Sequence, residues 1–197
     1  MKRKVRRRRQ MLAFGTLAVL VGVFAGALVA SGTFDDALKE LTLPLRHEDV
    51  IRQQADEKGV DAALIAAVIY SESKFSDQTS SAGARGLMQI TPEAADTIAR
   101  NSDATTFELK DLGDPEINIR YGTFLLRELL DRYDGDEAAA LAAYNAGPAN
   151  ADEWGGSSLT VAEIPFPETR AYVEEVLEKR DEYRQEYASE LGYGNLR

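Results

Sequence analysis

The sequence contains no cysteine and a single histidine, His47, among 197 residues. The first absence excludes disulfides, thiolate metal sites and a lipid-modified cysteine, so a folded domain here must rest on its apolar core. Together the two leave no cluster for a structural zinc and no histidine-based triad, and neither a metal nor a cofactor is expected. Acidic residues are missing from the first 34 positions, although the whole chain carries a net charge of −10. A convincing alternation of polar and apolar residues is missing too. The best strand candidate, residues 159–164, is short and lies between Gly155-Gly156 and Pro165. Sheet is therefore expected to be small or absent.

Lys2, Arg3, Lys4 and the run Arg6, Arg7, Arg8 and Arg9 place seven cations in the first ten residues. Subtracting them from the net −10 leaves about −17 on the remainder, an acidic body that argues against nucleic-acid binding. Twenty uncharged residues come next, Met11 to Ala30, enough to cross a bilayer. The positive flank predicts a cytoplasmic tail over 1–10, a transmembrane signal-anchor over 11–30 and the rest of the chain on the outer face of the cytoplasmic membrane. Ala25-Gly26-Ala27 also fits the small-x-small pattern of a cleaved signal peptide, so secretion after cleavage is the competing expectation. Residues 31–45, ending in Leu43-Pro44-Leu45, read as a linker.

From His47 onward the apolar spacing is helical. Residues 47–58 end at Gly59, and Asp61 is an N-cap for a helix over 62–71. Thr91-Pro92 and Asp114-Pro115 each pair a capping residue with a first-turn proline, opening helices over 92–100 and 115–133. An alanine-rich helix over 136–145 stops at Gly147-Pro148, and Pro167-Glu168 opens a last one to about residue 188. These signals imply one mainly helical domain over 46–190, with little or no sheet, preceded by one transmembrane helix.

Within that domain Ile65, Val68, Ile69 and Glu72 keep an i, i+3, i+4, i+7 pattern, so a carboxylate continues an apolar stripe. Burial and the negative end of a helix dipole both disfavour its ionised form, and a raised pKa suits a general acid. Periodicity alone favours a plainer reading, in which Glu72 ends an amphipathic helix and bends out to solvent or toward Lys74.

The residues after the glutamate shift that balance. Glu72-Ser73-x-Phe75, Gly83-Ala84-x-Gly86-Leu87-Met88-Gln89-Ile90-x-Pro92 and Ala142-Ala143-Tyr144-Asn145-Ala146-Gly147-Pro148 resemble, in order and spacing, the core motifs of soluble-lytic-transglycosylase (SLT) domains. Asn118 before Gly122, and Ile164-Pro165-Phe166-Pro167-Glu168-Thr169-Arg170-x-Tyr172-Val173, agree with the same family. The likeness covers roughly residues 46–180. It implies a lysozyme-like α+β fold of the goose type, mostly helix, that cleaves peptidoglycan strands in a bacterial envelope.

By that resemblance Glu72 protonates the oxygen between N-acetylmuramic acid and N-acetylglucosamine, then takes the proton of the muramoyl 6-hydroxyl as it closes onto C1. The product is a 1,6-anhydro end. Ser80 would hydrogen-bond the N-acetyl group, or Ser81 in its stead, because this loop is a residue shorter than in some relatives. Met88 and Gln89 would line the cleft, Gln89 through its amide and Met88 more by packing, since methionine is usually core filler. Tyr144 would reach Glu72 with its hydroxyl, Asn145 belongs to the same substrate-binding motif, and Glu168 would meet the sugar or its peptide. Trp154, read as part of a glycine-rich loop, is a candidate for stacking on a sugar.

Hydrolytic glycosidases use a second carboxylate. Asp77 falls in a loop, and Glu93 and Asp96 fall in the first turns of a helix, where the dipole accounts for them. A lone carboxyl suits a lyase; a hydrolytic N-acetylmuramidase and a non-catalytic wall-binding scaffold stand as alternatives. The expected partners are glycan strands and, through the N-terminal helix, the membrane, while any wall-assembly protein goes unidentified.

Overall fold

The structure is a computed structural model that describes residues 33–101 and 108–194. The segment read as a transmembrane anchor, residues 11–30, lies outside the described residues. Among the described residues no helix is long and apolar enough to cross a membrane.

Helix α1 runs Thr33–Thr42, inside the stretch expected to be a linker. Ala37, Leu38, Lys39, Glu40 and Leu41 are all good helix formers, and Lys39 sits in the last turn, where a cation complements the dipole. From Leu45 onward the chain forms a compact unit of its own.

That unit contains α2 (Glu48–Lys58), α3 (Ala62–Ser73), α4 (Pro92–Asn101), α5 (Pro115–Arg132), α6 (Glu137–Ala146), α7 (Pro148–Trp154) and α8 (Pro167–Glu186). The expected helices are all present, with ends shifted by no more than two residues. Short 3-10 turns occupy Leu109–Gly113, Gly156–Ser158 and Val161–Glu163. The best strand candidate, residues 159–164, holds the last of these turns instead. Thr160 and Glu163 close a capping box there, which satisfies the local backbone without a neighbouring strand. Among the described residues there is no strand, only the isolated bridges Thr79 to Arg85 and Arg85 to Ile90.

Helix α3 is the centre of the core. Every residue from Ala62 to Ile69 is buried, as expected of a helix that is apolar all round. It packs mainly against α8 and also against α2, while the alanine-rich α6 sits against α5, α7 and α8. Alanine's small side chain lets those neighbours approach α6 closely.

The start of α3 is tied to the far end of the chain. The Asp61 carboxylate caps the helix by accepting from the N–H groups of Ala63 and Leu64 at 2.7 and 3.2 Å. It also pairs with Arg184 and accepts from the Tyr193 hydroxyl. Burial alone would raise the Asp61 pKa, but the hydrogen bonds from Tyr193 and Arg184 outweigh it and hold the carboxyl below its ordinary value. A lowered pKa means a stabilising contribution that is present above the ordinary carboxylate range and lost as pH falls through the lowered value. Replacing Asp61→Ala should destabilise the fold by about 2 kcal/mol at neutral pH in chemical denaturation, with the difference from the parent shrinking in acid.

Candidate active site

Glu72 stands in the last turn of α3. The helix ends on Lys74 and Phe75, two consecutive non-glycine residues in the left-handed region, with φ of 51° and 60°. Such a pair is costly and persists only where the surroundings hold it. Phe75 supplies the hold, being 3% exposed and set against the ring of Tyr183 on α8 at 6.2 Å between centroids. Its burial fixes the turn directly after the glutamate.

The Glu72 side chain is half-buried, and its pKa is raised to about 7. Desolvation is the dominant cause, opposed by hydrogen bonding from the Tyr172 hydroxyl. That hydroxyl is buried without a regular hydrogen-bond partner, so it approaches the carboxyl more than it grips it. Its own pKa is pushed well above 10 by burial and by the charge of Glu72. Four other carboxyls with a clear shift, Glu57, Asp61, Asp152 and Glu163, are all lowered. Asp77, Glu93, Asp96 and Glu168 are exposed to solvent.

The glycine-rich loop between α3 and α4 closes beside the glutamate, held by one buried amide on α5. Asn118, with no exposed surface, accepts from the Met88 N–H at 2.8 Å and donates to the carbonyls of Arg85 and Leu112 at 2.9 and 3.0 Å. Gly86 lies against it at φ +74°, and a Cβ there would come within 2.1 Å of the Asn118 amide nitrogen and 2.5 Å of the Leu112 carbonyl. Gly122, one turn along α5, receives Met88 in the same way: a Cβ would lie 2.3 Å from the Met88 sulfur. These two close approaches account for Gly86 and Gly122.

Met88, expected to line the cleft, is instead wholly buried over Gly122. Its carbonyl serves the site, accepting from the Tyr144 hydroxyl at 2.8 Å. The Tyr144 hydroxyl, expected to hold Glu72, is committed to that carbonyl, yet it is close enough for the charge of Glu72 to help raise its pKa, after burial. Tyr144 therefore joins the loop to α6 beside the glutamate, and it is the hydroxyl of Tyr172 on α8 that lies nearer the carboxyl. Tyr172 falls in the buried stripe of Thr169, Val173 and Val176, spaced i, i+3, i+4, i+7, a signal that could have placed it inward from the sequence.

Gln89 has φ +47° and donates from its amide nitrogen to the carbonyls of Gly86 and Gln78 at 2.8 and 3.1 Å. Ser80 braces the same loop, its hydroxyl accepting from the Ala84 N–H at 3.0 Å, and Ser81 is exposed. Asn145, also exposed, accepts from the Thr169 hydroxyl at 2.8 Å, which brings the end of α6 to the first turn of α8 and to the exposed Glu168. Glu72, Met88, Tyr144 and Tyr172 thus converge, while Ser80 and Asn145 bond to Ala84 and Thr169, and Ser81 and Glu168 are exposed. Trp154 ends a helix, α7, and does not lie in a loop.

The described unit is a helical scaffold with one desolvated, protonatable carboxyl at the end of its central helix. The family described as Transglycosylase SLT domain matches residues 49–165, and the chain belongs to that family. It is 34% identical over 163 residues to the soluble lytic murein transglycosylase of Escherichia coli strain K12, covering 78% of this chain and 25% of that protein. It is 35% identical over 150 residues to a membrane-bound lytic murein transglycosylase F of Alcanivorax borkumensis, covering 70% of this chain and 30% of that protein. The structure of an inactive mutant of the lytic transglycosylase Slt from Pseudomonas aeruginosa superposes with a TM-score of 0.72 at 30% identity, over 77% of this chain and 26% of that one. The chain thus spans about a quarter of the length of the first of these relatives.

The bracing of the loop by Asn118 is open to test. An Asn118→Leu variant keeps the volume but strands the Met88 N–H and the Leu112 carbonyl. We expect a loss of about 3 kcal/mol, read as a lower midpoint in urea.

Proposed function

We propose that the chain is a peptidoglycan lytic transglycosylase that cleaves the bond between N-acetylmuramic acid and N-acetylglucosamine, with Glu72 as its acid and then its base. The observation that carries this reading is the Glu72 pKa of about 7, set by desolvation at the end of α3. At that value the carboxyl is protonated often enough to donate to a glycosidic oxygen and ionised often enough to accept a proton afterwards. The incoming nucleophile is the substrate's own 6-hydroxyl on the muramoyl unit. Its attack on C1 forms the 1,6-anhydro ring as the bond to the departing sugar oxygen breaks, and the hydroxyl proton passes to the Glu72 carboxylate. No water is consumed, which fits a site whose other nearby carboxyls in the sequence are exposed and not aimed inward.

The contacts suggest supporting roles. Gln89 uses its amide nitrogen to hold the loop, which leaves its carbonyl oxygen to accept from a sugar hydroxyl. Asn145 and Glu168, exposed at the junction of α6 and α8, are placed to meet the strand or its peptide, and Ser80 and Ser81 to meet an N-acetyl group. The seven-cation tail and the apolar run 11–30 support a single-pass anchor in the cytoplasmic membrane, with residues 31–45 as the connecting segment and residues 46–190 as the catalytic domain on the outer face. The membrane-bound relative is consistent with that placement.

Glu72→Gln, nearly isosteric, should abolish release of anhydromuropeptides from purified peptidoglycan, followed by mass spectrometry. Reducing-end products from the parent enzyme would favour a hydrolase, and retained activity in the variant would remove Glu72 from the mechanism. The substitution also removes a group whose folded pKa is raised from 4.5 to about 7, so that ionisation costs stability as pH climbs through that interval. The variant should consequently melt above the parent at about pH 8 and match it in acid.

Tyr172→Phe deletes the hydroxyl that lowers the Glu72 pKa. The alkaline limb of the pH–rate profile, where the acid form is lost, should lie near pH 7 in the parent and move upward in the variant. A limb that stays in place would separate Tyr172 from the titration of Glu72.

A further inference from the structure

Four large apolar residues are exposed among the described ones, Leu38, Leu41, Leu109 and Phe166, and only Phe166 is aromatic. It is 49% exposed at the N-cap of α8, and its ring meets that of Trp154 edge-on, with centroids 4.9 Å apart at 67°. An exposed aromatic side chain usually loses freedom when it binds something, but this one is held beforehand. Pro165 and Pro167 flank it, and a residue before proline is confined to extended backbone, as its φ of −83° and ψ of 113° show. The Arg170 guanidinium donates twice to the Ile164 carbonyl, at 3.0 and 2.7 Å, and pins the segment just before it. Trp154 is fixed in turn as the last residue of α7.

Both rings sit on elements that also build the candidate site. Helix α7 begins directly after the segment carrying Tyr144 and Asn145, and α8 carries Thr169, bonded to Asn145, and Tyr172, beside Glu72. Phe166 precedes Tyr172 by six positions, which is about 9 Å along the helix axis. A glycan strand that extends from the scissile bond along the start of α8 would bring a further sugar unit to the pair. Two edge-on rings make a patch far smaller than a protein interface needs. They suit the flat C–H face of a pyranose, and the exposed Glu168, two residues beyond Phe166, offers an acceptor to its hydroxyl and amide rim.

We propose that Phe166 and Trp154 form a sugar-stacking subsite that continues the glycan cleft along the start of α8 and sets how firmly polymeric strands are held. The proposal rests on the glycan-cleaving reading above, and the sequence provides a means of testing the two separately. Trp154 is the only tryptophan in the chain, so its fluorescence reports on this spot and requires no turnover.

The test titrates the full-length Glu72→Gln protein, solubilised in detergent, with peptide-free glycan strands while tryptophan emission is recorded. A saturable change in emission is expected. Adding Phe166→Ala should weaken the apparent affinity about tenfold, in line with the loss of one aromatic stack, and Phe166→Tyr should restore it. A thermal melt of each variant verifies that the fold is intact. Unchanged emission, or equal affinity in Phe166→Ala, overturns the subsite even where the parent enzyme releases anhydro ends. Binding seen by Trp154 without any anhydro product from the parent leaves the subsite standing and overturns the lyase reading instead.

Discussion

Keeping one carboxyl out of water at the end of a core helix is the constraint around which this domain is arranged. Helix α3 is buried along its first eight residues, and Glu72 lies on the same stripe after the helix has reached the surface of the core. A carboxylate left there pays for desolvation in its pKa, and the shift to about 7 is the chemical product of that cost. The helix cannot slide to relieve it. One end is tied by Asp61 to Arg184 and Tyr193, and the other by the turn through Lys74 and Phe75 onto Tyr183. Both ties lead to α8 or the segment after it, the same helix that brings Tyr172 to the carboxyl.

The loop that faces the glutamate is built by a different device. It has almost no regular structure, and its backbone groups find partners through Asn118, Ser80 and Gln89. Buried backbone must be satisfied somewhere, and a single asparagine on α5 meets three of those demands. That arrangement requires Gly86 and Gly122 to admit Asn118 and Met88 at distances no side chain would tolerate. The polar residues expected to meet substrate thus divide into those that hold the loop, such as Ser80, and those free to face outward, such as Glu168.

Much of this architecture was legible from the chain. The helices announced themselves through caps and prolines, because local signals such as Asp61, Asp114-Pro115 and Gly59 act within one turn and need no distant partner. The central glutamate was legible from the apolar stripe it extends together with the motifs around it. The 3-10 turn at Val161–Glu163 was not, because a short apolar run between turn signals fits either conformation until packing decides. Helix α1 was missed for a similar reason: its composition favours helix, but proximity to Pro44 and the apolar run suggested only a connector.

A helical domain with one conspicuous carboxyl, no cysteine, a single histidine and a glycine-rich loop after the glutamate can be read from the chain alone. Those features depend on residue type and short-range spacing. Which side chains reach that carboxyl depends on the packed fold. It withdrew Met88 into the core, turned the Tyr144 hydroxyl to the Met88 carbonyl, and brought Tyr172 from 100 positions away in the chain to the side of Glu72. The physical reason is that a pKa is set by what surrounds a group in space, and the neighbours of Glu72 come from α6, α8 and the loop, whose meeting is a property of the packed core.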